Sequence, residues 1–229
     1  MKDRTWREVD EYFETELNPQ DPVLAEAIKA STAAGLPSIQ VSPAQGKLLY
    51  LLALAQGAQR ILEVGTLGGY SALWLARALP PHGRLVTLEL DPHHAEVALR
   101  NFAHAGLADR IELHVGPALD TLARLRQQDV APFDLIFIDA DKQNNLGYVQ
   151  AAAELSRVGT LIMVDNVVRA GSVISEVRDA TAEGVRRMTA WIGRESRLCA
   201  TTIQTVGEKG YDGFLLARVQ SLGKGPGGS

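Results

Sequence analysis

Apolar residues follow two different spacings along this chain, and the spacing changes near residue 59. Before that point they recur as on one face of a helix, which predicts helices over about residues 3–17 and 22–34 and a third helix opened by Ser42 and Pro43. After it, short apolar runs without polar alternation are each followed by a helical stretch, as expected for strands buried on both faces. These runs span residues 60–64, 84–90, 110–115, 133–138 and 160–164.

This alternation of strands and helices predicts an α/β fold with right-handed crossovers and a mostly parallel, doubly wound sheet. Two last strand-like runs, residues 200–206 and 214–219, are joined by a short glycine-rich link, which favours an antiparallel hairpin. Residues 1–221 are expected to form one domain, in which about residues 1–57 make a helical cover. The glycine-rich residues 222–229 are expected to be a disordered tail.

Composition and charge narrow the range of functions. The 229 residues carry 23 Lys plus Arg and 27 Asp plus Glu, a formal net charge of −4, and so lack the concentrated positive field that nucleic acids require. The N-terminus has no apolar run of the kind found in secretion signals, and the longest low-charge window, residues 48–58, is too short to cross a bilayer. We therefore expect a cytoplasmic protein without nucleic-acid or membrane partners.

The single cysteine, Cys199, excludes an intrachain disulfide and a zinc site built on several thiolates. Its neighbours Leu198 and Ala200 are small or apolar, which predicts a position in the core. We expect its role to be packing rather than reactivity.

The carboxyl ends of the predicted strands are where an open α/β sheet binds its ligands. After the first strand, residues 65–71 form a glycine-rich turn that leads into a helix and can bring a ligand close to free backbone N–H groups. Leu67 stands where the dinucleotide fingerprint needs its second glycine, so this turn departs from that motif. After the second strand, Glu89 is placed to accept the two hydroxyls of a ribose.

The fourth and fifth strands end in a cluster of charged and amide side chains. Asp139, Asp141 and Lys142 follow the fourth strand, and Asp165 and Asn166 follow the fifth. Adjacent parallel strands bring these groups together, and the oxygens of Asp139, Asp165 and Asn166 suit Mg²⁺ or a similar cation. Because converging acids are costly unless they are paired or bound to metal, a functional site is favoured over a salt-bridge cluster.

Four motifs occur in order along the chain: LEVGTLGGYS at 62–71, GPA at 116–118, FIDADK at 137–142 and VDN at 164–166. With them the chain, from about residue 40 to 219, resembles the cation-dependent O-methyltransferases. That family includes the caffeoyl-CoA O-methyltransferase group and, more distantly, catechol O-methyltransferase. The resemblance implies a class I S-adenosylmethionine-dependent methyltransferase fold, which is Rossmann-like and has a seven-stranded sheet with an antiparallel last strand.

The resemblance also implies roles for single residues. Mg²⁺, or another divalent cation such as Mn²⁺ or Ca²⁺, would be held by Asp139, Asp165 and Asn166, and Lys142 matches the family's candidate general base, with Asp139 counted beside it as catalytic. The implied reaction methylates one hydroxyl of a catechol-type phenolic acceptor. S-adenosylmethionine would contact Val41, Glu63, Gly65, Thr66, Ser71, Glu89, Ala118 and Asp141, with Glu89 on the ribose and Ala118 near the adenine.

One departure from the family bears on the acceptor. Plant members carry Trp-Asn soon after the metal-binding Asp-Asn, whereas this chain has Arg169 and Ala170 there. This difference disfavours a coenzyme A thioester and favours a smaller phenolic acceptor. Arg169 either meets an acidic substrate or faces solvent, and the solvent-facing position is favoured. Residues 167–185 are expected to form a mobile lid over the acceptor.

Two other functions remain open on the sequence. A nicotinamide-dependent oxidoreductase on a similar sheet would explain Glu89 but leaves Leu67 and the cluster of Asp139, Asp165 and Asn166 unexplained. A non-catalytic module that keeps the cofactor pocket is disfavoured because the cation ligands and the base are all present. The N-terminal helices are expected to cover the active-site edge or to join a homodimer, the usual state of the family it resembles.

Overall fold

The computed structural model describes residues 2–17, 21–177 and 179–222. Within them lie the helices α1 (Lys2–Leu17), α2 (Pro22–Ala33), α3 (Pro43–Gln56), α4 (Tyr70–Ala78), α5 (Pro92–His104), α6 (Ala118–Gln127), α7 (Asn145–Glu154) and α8 (Ala180–Ile192). The strands are β1 (Arg60–Val64), β2 (Arg84–Glu89), β3 (Ile111–Val115), β4 (Phe133–Ile138), β5 (Ser156–Val164), β6 (Leu198–Gly207) and β7 (Gly210–Val219). The tail predicted at 222–229 lies outside the described residues from 223 onward.

The described strands form one seven-stranded sheet in the order β3-β2-β1-β4-β5-β7-β6. Strands β1 to β5 pair in parallel, whereas β7 pairs antiparallel with both β5 and β6. The chain runs outward from β1 to β3 and then places β4 on the other side of β1, so the strand order reverses between β1 and β4. The predicted fold class and the antiparallel final hairpin are confirmed. The reversal marks the place where such sheets bind ligands.

Three helices begin at a proline that is capped by the preceding side chain. Asp21, Ser42 and Asp91 each accept a hydrogen bond from a backbone N–H two or three residues on, at 3.0, 3.2 and 2.7 Å. Proline suits the first helical position because it has no N–H to leave unpaired. None of the described helices is long and apolar enough to cross a membrane.

Side chains of the central strands alternate between two apolar cores, one on each face of the sheet. Ile61 and Leu135 pack with residues of α2 to α5 on one face, and Leu62 and Ile136 pack with residues of α6 to α8 on the other. All four side chains are buried. Burial on both faces is the reason why these strands show no polar alternation in the sequence.

Strand β5 begins four residues before the predicted start at residue 160. The added residues include Arg157 and Gly159, which interrupt the apolar pattern. The pairing of β5 with β4 shifts its register between Phe133 and Leu135. Arg157 Nε donates to Asp134 Oδ1 at 2.7 Å, so a polar contact and not an apolar one holds the start of the strand.

The prediction that Cys199 lies in the core is wrong, because the structure exposes it. Cys199 belongs to β6, which pairs only with β7 and forms one edge of the sheet. Most side chains of β6 are exposed. The apolar residues of β6 therefore resemble those of a core strand, although the position of β6 at the edge of the sheet exposes them to solvent.

Candidate active site

The functional residues predicted at the strand ends lie side by side along one edge of the sheet. Backbone hydrogen bonds continue the strand pairing one residue past each strand: Gly65 N donates to Leu88 O at 2.9 Å, Asp139 N to Val64 O at 2.8 Å and Asp165 N to Ile138 O at 2.9 Å. These bonds hold Gly65, Asp139 and Asp165 level with one another. The sheet edge therefore presents them as one row.

A cavity of about 1060 Å³ opens above this row. This volume is at the upper end of small-molecule sites and has room for more than one ligand. Helix α1 contributes Asp10 to the wall, so part of the predicted N-terminal cover reaches the site. Of the residues predicted to be functional, the lining contains Val41, Gly65, Thr66, Ser71, Glu89, Ala118, Asp139, Asp141, Lys142, Asp165 and Asn166.

The turn after β1 depends on glycine at two positions. Gly65 has φ +97°, and a Cβ atom there would lie 2.0 Å from the carbonyl oxygen of Asp139. Gly69 has φ +84°, and its Cβ atom would lie 2.4 Å from the ring of Phe102. A side chain at either position would force the backbone away. Glycine thus lets the turn pass directly beside the end of β4.

Glu89 holds this turn in place. Its Oε2 accepts from the backbone N of Thr66 at 3.1 Å and of Leu67 at 2.7 Å, and its Oε1 accepts from Asp91 N at 2.9 Å. Leu67, the residue that departs from the dinucleotide fingerprint, has φ +51° and presents its N–H to this carboxylate. Glu89 lies in the cavity wall as predicted. Its second role, holding the turn through backbone N–H groups, was not predicted from the sequence.

Glu63 is the one predicted cofactor residue that does not reach the cavity lining. Its side chain is fully buried. Its Oε2 accepts from Thr87 Oγ1 at 2.6 Å, whereas its Oε1 has no hydrogen-bond partner among the described residues. Burial raises the pKa of Glu63 to about 8, and the negative charges of Asp139 and Glu89 act in the same direction.

Two carboxylates share the region beyond β4 and β5 with a single lysine. Lys142 Nζ lies 2.8 Å from Asp139 Oδ1, and the lysine is only 7% exposed. Burial, followed by the charge of Asp139, raises the pKa of Asp165 to about 7, and Lys142 acts against this rise. Asn166 follows in the left-handed region at φ +54° and donates its backbone N–H to Asp165 Oδ1 at 2.8 Å.

This donor set fits a divalent cation. Two carboxylates and one amide supply hard oxygen atoms, and one lysine leaves the pair of carboxylates with excess negative charge. The described residues contain no group of three or more His, Cys, Asp and Glu side chains in a metal-binding arrangement. The third oxygen of the predicted set comes from Asn166, which lies outside those residue types.

Asp141 lines the same cavity and is held by two donors. Its Oδ1 accepts from Tyr148 Oη at 2.5 Å, and its Oδ2 accepts from Asn144 Nδ2 at 2.7 Å. Burial and the neighbouring carboxylate raise the pKa of Tyr148 above its usual value. Tyr148 is not among the residues predicted from the sequence. A buried tyrosine seven residues after an acid, on the first two turns of the next helix, is the signal that could have identified it.

Arg169 faces the cavity, so its predicted solvent-facing position is wrong. Its Nε atom is buried. Its backbone lies at φ +56°, and its N–H donates to Asp212 Oδ1 at 2.9 Å. The predicted lid at 167–185 extends too far, because residues 180–185 belong to α8 and three of them, Ala182, Gly184 and Val185, are buried.

Comparison with known proteins gives consistent matches over nearly the whole chain. A family model described as O-methyltransferase matches residues 14–219. A catechol O-methyltransferase of Mycobacterium tuberculosis is 54% identical over 213 residues, which are 93% of this chain and 96% of the relative. The crystal structure of an O-methyltransferase from Bacillus cereus in complex with SAH has a TM-score of 0.93 and 51% identity, and the match covers 95% of this chain and 99% of that one.

A second solved structure supports the same cofactor. The O-methyltransferase TomG from Streptomyces achromogenes, in complex with SAM, has a TM-score of 0.93 and 49% identity. The match covers 96% of this chain and 100% of that chain. Two structural neighbours at about half identity therefore carry S-adenosylmethionine or its product in the same fold, which decides against a nicotinamide-dependent oxidoreductase.

Proposed function

The chain belongs to the O-methyltransferase family and is an S-adenosylmethionine-dependent enzyme, and we propose that it methylates one hydroxyl of a catechol-type acceptor with the help of a divalent cation. The observation that carries this proposal is the cluster of Asp139, Lys142, Asp165 and Asn166 in the wall of one cavity. A relative that is 54% identical is named catechol O-methyltransferase. The cluster supports a bound cation, and the name of the relative supports a catechol, whose two neighbouring oxygen atoms suit such a cation.

Asp139, Asp165 and Asn166 would hold the cation, which we take to be Mg²⁺ or a similar ion. Their fit rests on charge: the pKa of Asp165 is raised to about 7 by burial and by Asp139, and a cation between the two carboxylates would relieve that repulsion. When bound, such an ion supplies Lewis-acid chemistry that makes a phenolic hydroxyl easier to deprotonate. Asn166 adds an oxygen without adding charge.

Lys142 would accept the proton of the acceptor hydroxyl at Nζ. Asp139 Oδ1 lies 2.8 Å from this atom and would orient it, so a cation ligand and the base are neighbours on one turn. The turn itself is fixed from behind, because a Cβ atom at Gly184 of α8 would lie 2.1 Å from the carbonyl oxygen of Lys142. Close backbone packing therefore limits how far the lysine can move.

The glycine turn and its neighbours would bind S-adenosylmethionine, which supplies a methyl group on a positively charged sulfonium. Glu89, which lines the cavity, suits its ribose. Glu63 is buried beneath the lining and would favour the ammonium group of the cofactor through its charge and through Ser71, which lines the cavity. The remaining cofactor residues would be Val41, Gly65, Thr66, Ser71, Ala118 and Asp141, all of which line the cavity. Acidic side chains on several sides of a cationic cofactor favour its binding.

A methylation assay with labelled S-adenosylmethionine and a panel of diphenols tests this function. We expect turnover of vicinal diphenols, loss of turnover in excess chelator, and recovery when Mg²⁺, Mn²⁺ or Ca²⁺ is added back. A phenol with a single hydroxyl serves as the matched control and should react far more slowly. Full activity in excess chelator would remove the cation from the proposal, and equal turnover of the single-hydroxyl control would remove the catechol-type acceptor.

We also propose that the protein forms a homodimer through its N-terminal helices. Helix α1 exposes Tyr12 and Phe13, whose rings pack edge to face with their centroids 5.2 Å apart. Helix α3 exposes Leu51 and Leu54. Exposed apolar side chains grouped on two helices are typical of a surface that another chain covers. Sedimentation of the purified protein tests this proposal, and a single monomeric species at micromolar concentration would contradict it.

A further inference from the structure

The side chain of Arg169 lines the cavity with one donor that the described residues leave unused. Its Nε atom is buried and makes no hydrogen bond with any described residue. No described carboxylate lies within ion-pair distance of the side chain, and the charge of Asp179 acts on it only from further away. Burying part of a cation without a partner costs free energy, because the lost water contacts are not replaced. The side chain is therefore placed where a bound ligand can supply what the protein does not.

The backbone that carries Arg169 is held in an unfavourable conformation. Arg169 and Ala170 both lie in the left-handed region, at φ +56° and +51°. Each such residue costs about 1 kcal/mol. Asp212 Oδ1 offsets part of this cost by accepting from the N–H groups of Val168 and Arg169, at 3.1 and 2.9 Å. The loop is thus fixed by its surroundings in a shape that directs Arg169 to the cavity.

A second arginine, in the helix that follows the loop, shows what a purely structural side chain looks like. Arg186 of α8 donates to the carbonyl oxygens of Val173 at 2.8 Å, Ser172 at 3.1 Å and Ser175 at 2.5 Å. Its donors tie the loop to the helix. Arg169 lies on that loop, and its buried Nε atom makes no hydrogen bond with any described residue.

Among the Lys and Arg side chains of the cavity lining, Arg169 is the one left to meet a part of the acceptor away from the reacting hydroxyl, which is assigned to Lys142. Lys142 is engaged by Asp139, and Lys209 lies exposed on the hairpin between β6 and β7. Arg169 follows the proposed cation ligand Asn166 by three residues, so their Cα atoms lie within about 11 Å. An aromatic ring whose hydroxyls meet Asp139 and Asp165 would extend toward an arginine at that distance.

We propose that Arg169 recognises a carboxylate on the acceptor ring, so that the enzyme prefers acidic catechol-type acceptors to neutral ones. This inference rests on the proposed function and names the substrate class of the same site. The planar guanidinium matches a carboxylate with two parallel hydrogen bonds, and this geometry separates it from a lysine. Arg169 is a specificity-determining residue in this proposal, since it touches the acceptor at a distance from the reacting oxygen.

The test compares two acceptors that differ only in charge, protocatechuate and its neutral primary amide. In Arg169→Met, kcat/KM for protocatechuate should fall about 10- to 100-fold, whereas kcat/KM for the amide should change less than about threefold. The Kd of protocatechuate, measured by calorimetry with SAH and Mg²⁺ present, should rise by the same factor as kcat/KM falls. Arg169→Lys should recover part of the loss, because it keeps the charge and loses the planar fork.

Arg100→Met is the matched control. Arg100 pairs with Glu96 at 2.6 Å on an exposed face of α5 and does not line the cavity. The Arg100→Met variant should leave kcat/KM for both acceptors unchanged. Equal losses for the two acceptors in Arg169→Met, or no loss for either, would overturn the proposal. The catechol-type function is contradicted separately if wild-type protein with Mg²⁺ methylates neither acceptor. In that case the change in the Kd of protocatechuate between wild type and Arg169→Met still tests the role of Arg169.

Discussion

The two sides of the cavity are built in opposite ways. On the glycine-turn side, made of residues 65–71 and Glu89, the carboxylate of Glu89 accepts three backbone N–H groups and the turn is packed against β4. On the carboxylate side, made of Asp139, Lys142, Asp165 and Arg169, two acids share one lysine, and the buried Nε of the arginine makes no hydrogen bond with the described residues. One side is complete without a ligand, and the other is not.

This difference shows how one sheet edge can serve two ligands. The glycine-turn side keeps its shape through internal hydrogen bonds, so its binding surface exists before the cofactor arrives. The carboxylate side holds excess negative charge that a bound cation, or a proton taken up by Asp165, can neutralise. Stability and function therefore coincide on the first side and compete on the second. Each of the following changes tests how far one side of the cavity can be altered without affecting the other.

The largest expected effect comes from Asp165→Asn. The substitution keeps the size of the side chain and removes one charge from the proposed cation site, so methylation of a vicinal diphenol should fall about 1000-fold, equivalent to about 4 kcal/mol. The Kd of S-adenosylmethionine, measured by calorimetry, should change less than about threefold. A large loss of cofactor affinity would show that the two sides are not independent.

Gly65→Ala should act on stability and cofactor binding together. Its Cβ atom would lie 2.0 Å from the carbonyl oxygen of Asp139, and its φ of +97° is strained for alanine, so we expect about 3 kcal/mol loss of unfolding free energy. Gly106→Ala is the control, because φ is +66° there and nothing lies within 4 Å. It should cost about 1 kcal/mol in urea unfolding. Equal costs would mean that the close approach to Asp139 is unimportant.

Glu63→Gln should change how stability depends on pH in the cofactor-free protein. The folded pKa of Glu63, about 8, exceeds the reference value of 4.5, so the folded state keeps a proton that the unfolded state releases. Wild-type stability should therefore fall as pH rises between these values, by at most about 1.4 kcal/mol per pH unit. The glutamine variant lacks this contribution. Parallel profiles from urea unfolding at several pH values would contradict the assignment.

The smallest expected effect is that of Tyr148→Phe. It removes the donor to Asp141 at 2.5 Å, which lies where the two sides meet, and the loss of one hydrogen bond to a charged group is worth about 1–2 kcal/mol. The Kd of S-adenosylmethionine should rise about tenfold while the KM of the acceptor stays constant. Tyr12→Phe, on the exposed face of α1, is the control. A change in the acceptor KM alone would place Asp141 on the carboxylate side.

Sequence patterns predicted the sheet and the row of functional residues because both depend on local order. Apolar runs are buried on both faces in this fold, and the residue after each run must lie at the sheet edge, as Asp139 and Asp165 do. The lining of the cavity contains every predicted site residue except Glu63. Parallel pairing turns neighbours in the strand order into neighbours in space.

The errors concern properties that arise from distant parts of the chain. Cys199 is exposed because β6 is the edge strand, and the amino-acid sequence of β6 does not reveal this position. The direction of Arg169 depends on Asp212, 43 residues further on, which fixes its backbone. The burial of Glu63, whose role in cofactor binding stays a prediction, likewise involves a distant residue, Thr87 of the neighbouring strand. No local pattern encodes these contacts.

The close approach of Gly65 to the carbonyl oxygen of Asp139 has a consequence for how relatives of this protein can diversify. The glycine turn and Asp139 are packed together through main-chain atoms. The backbone therefore sets the distance between the cofactor site and the acceptor site. Segment 167–177, which carries Arg169, lies apart from that junction. A substitution at Arg169 can therefore change the choice of acceptor while the contact between Gly65 and Asp139 is kept, whereas Val167 and Val168 of the same segment are buried in the core.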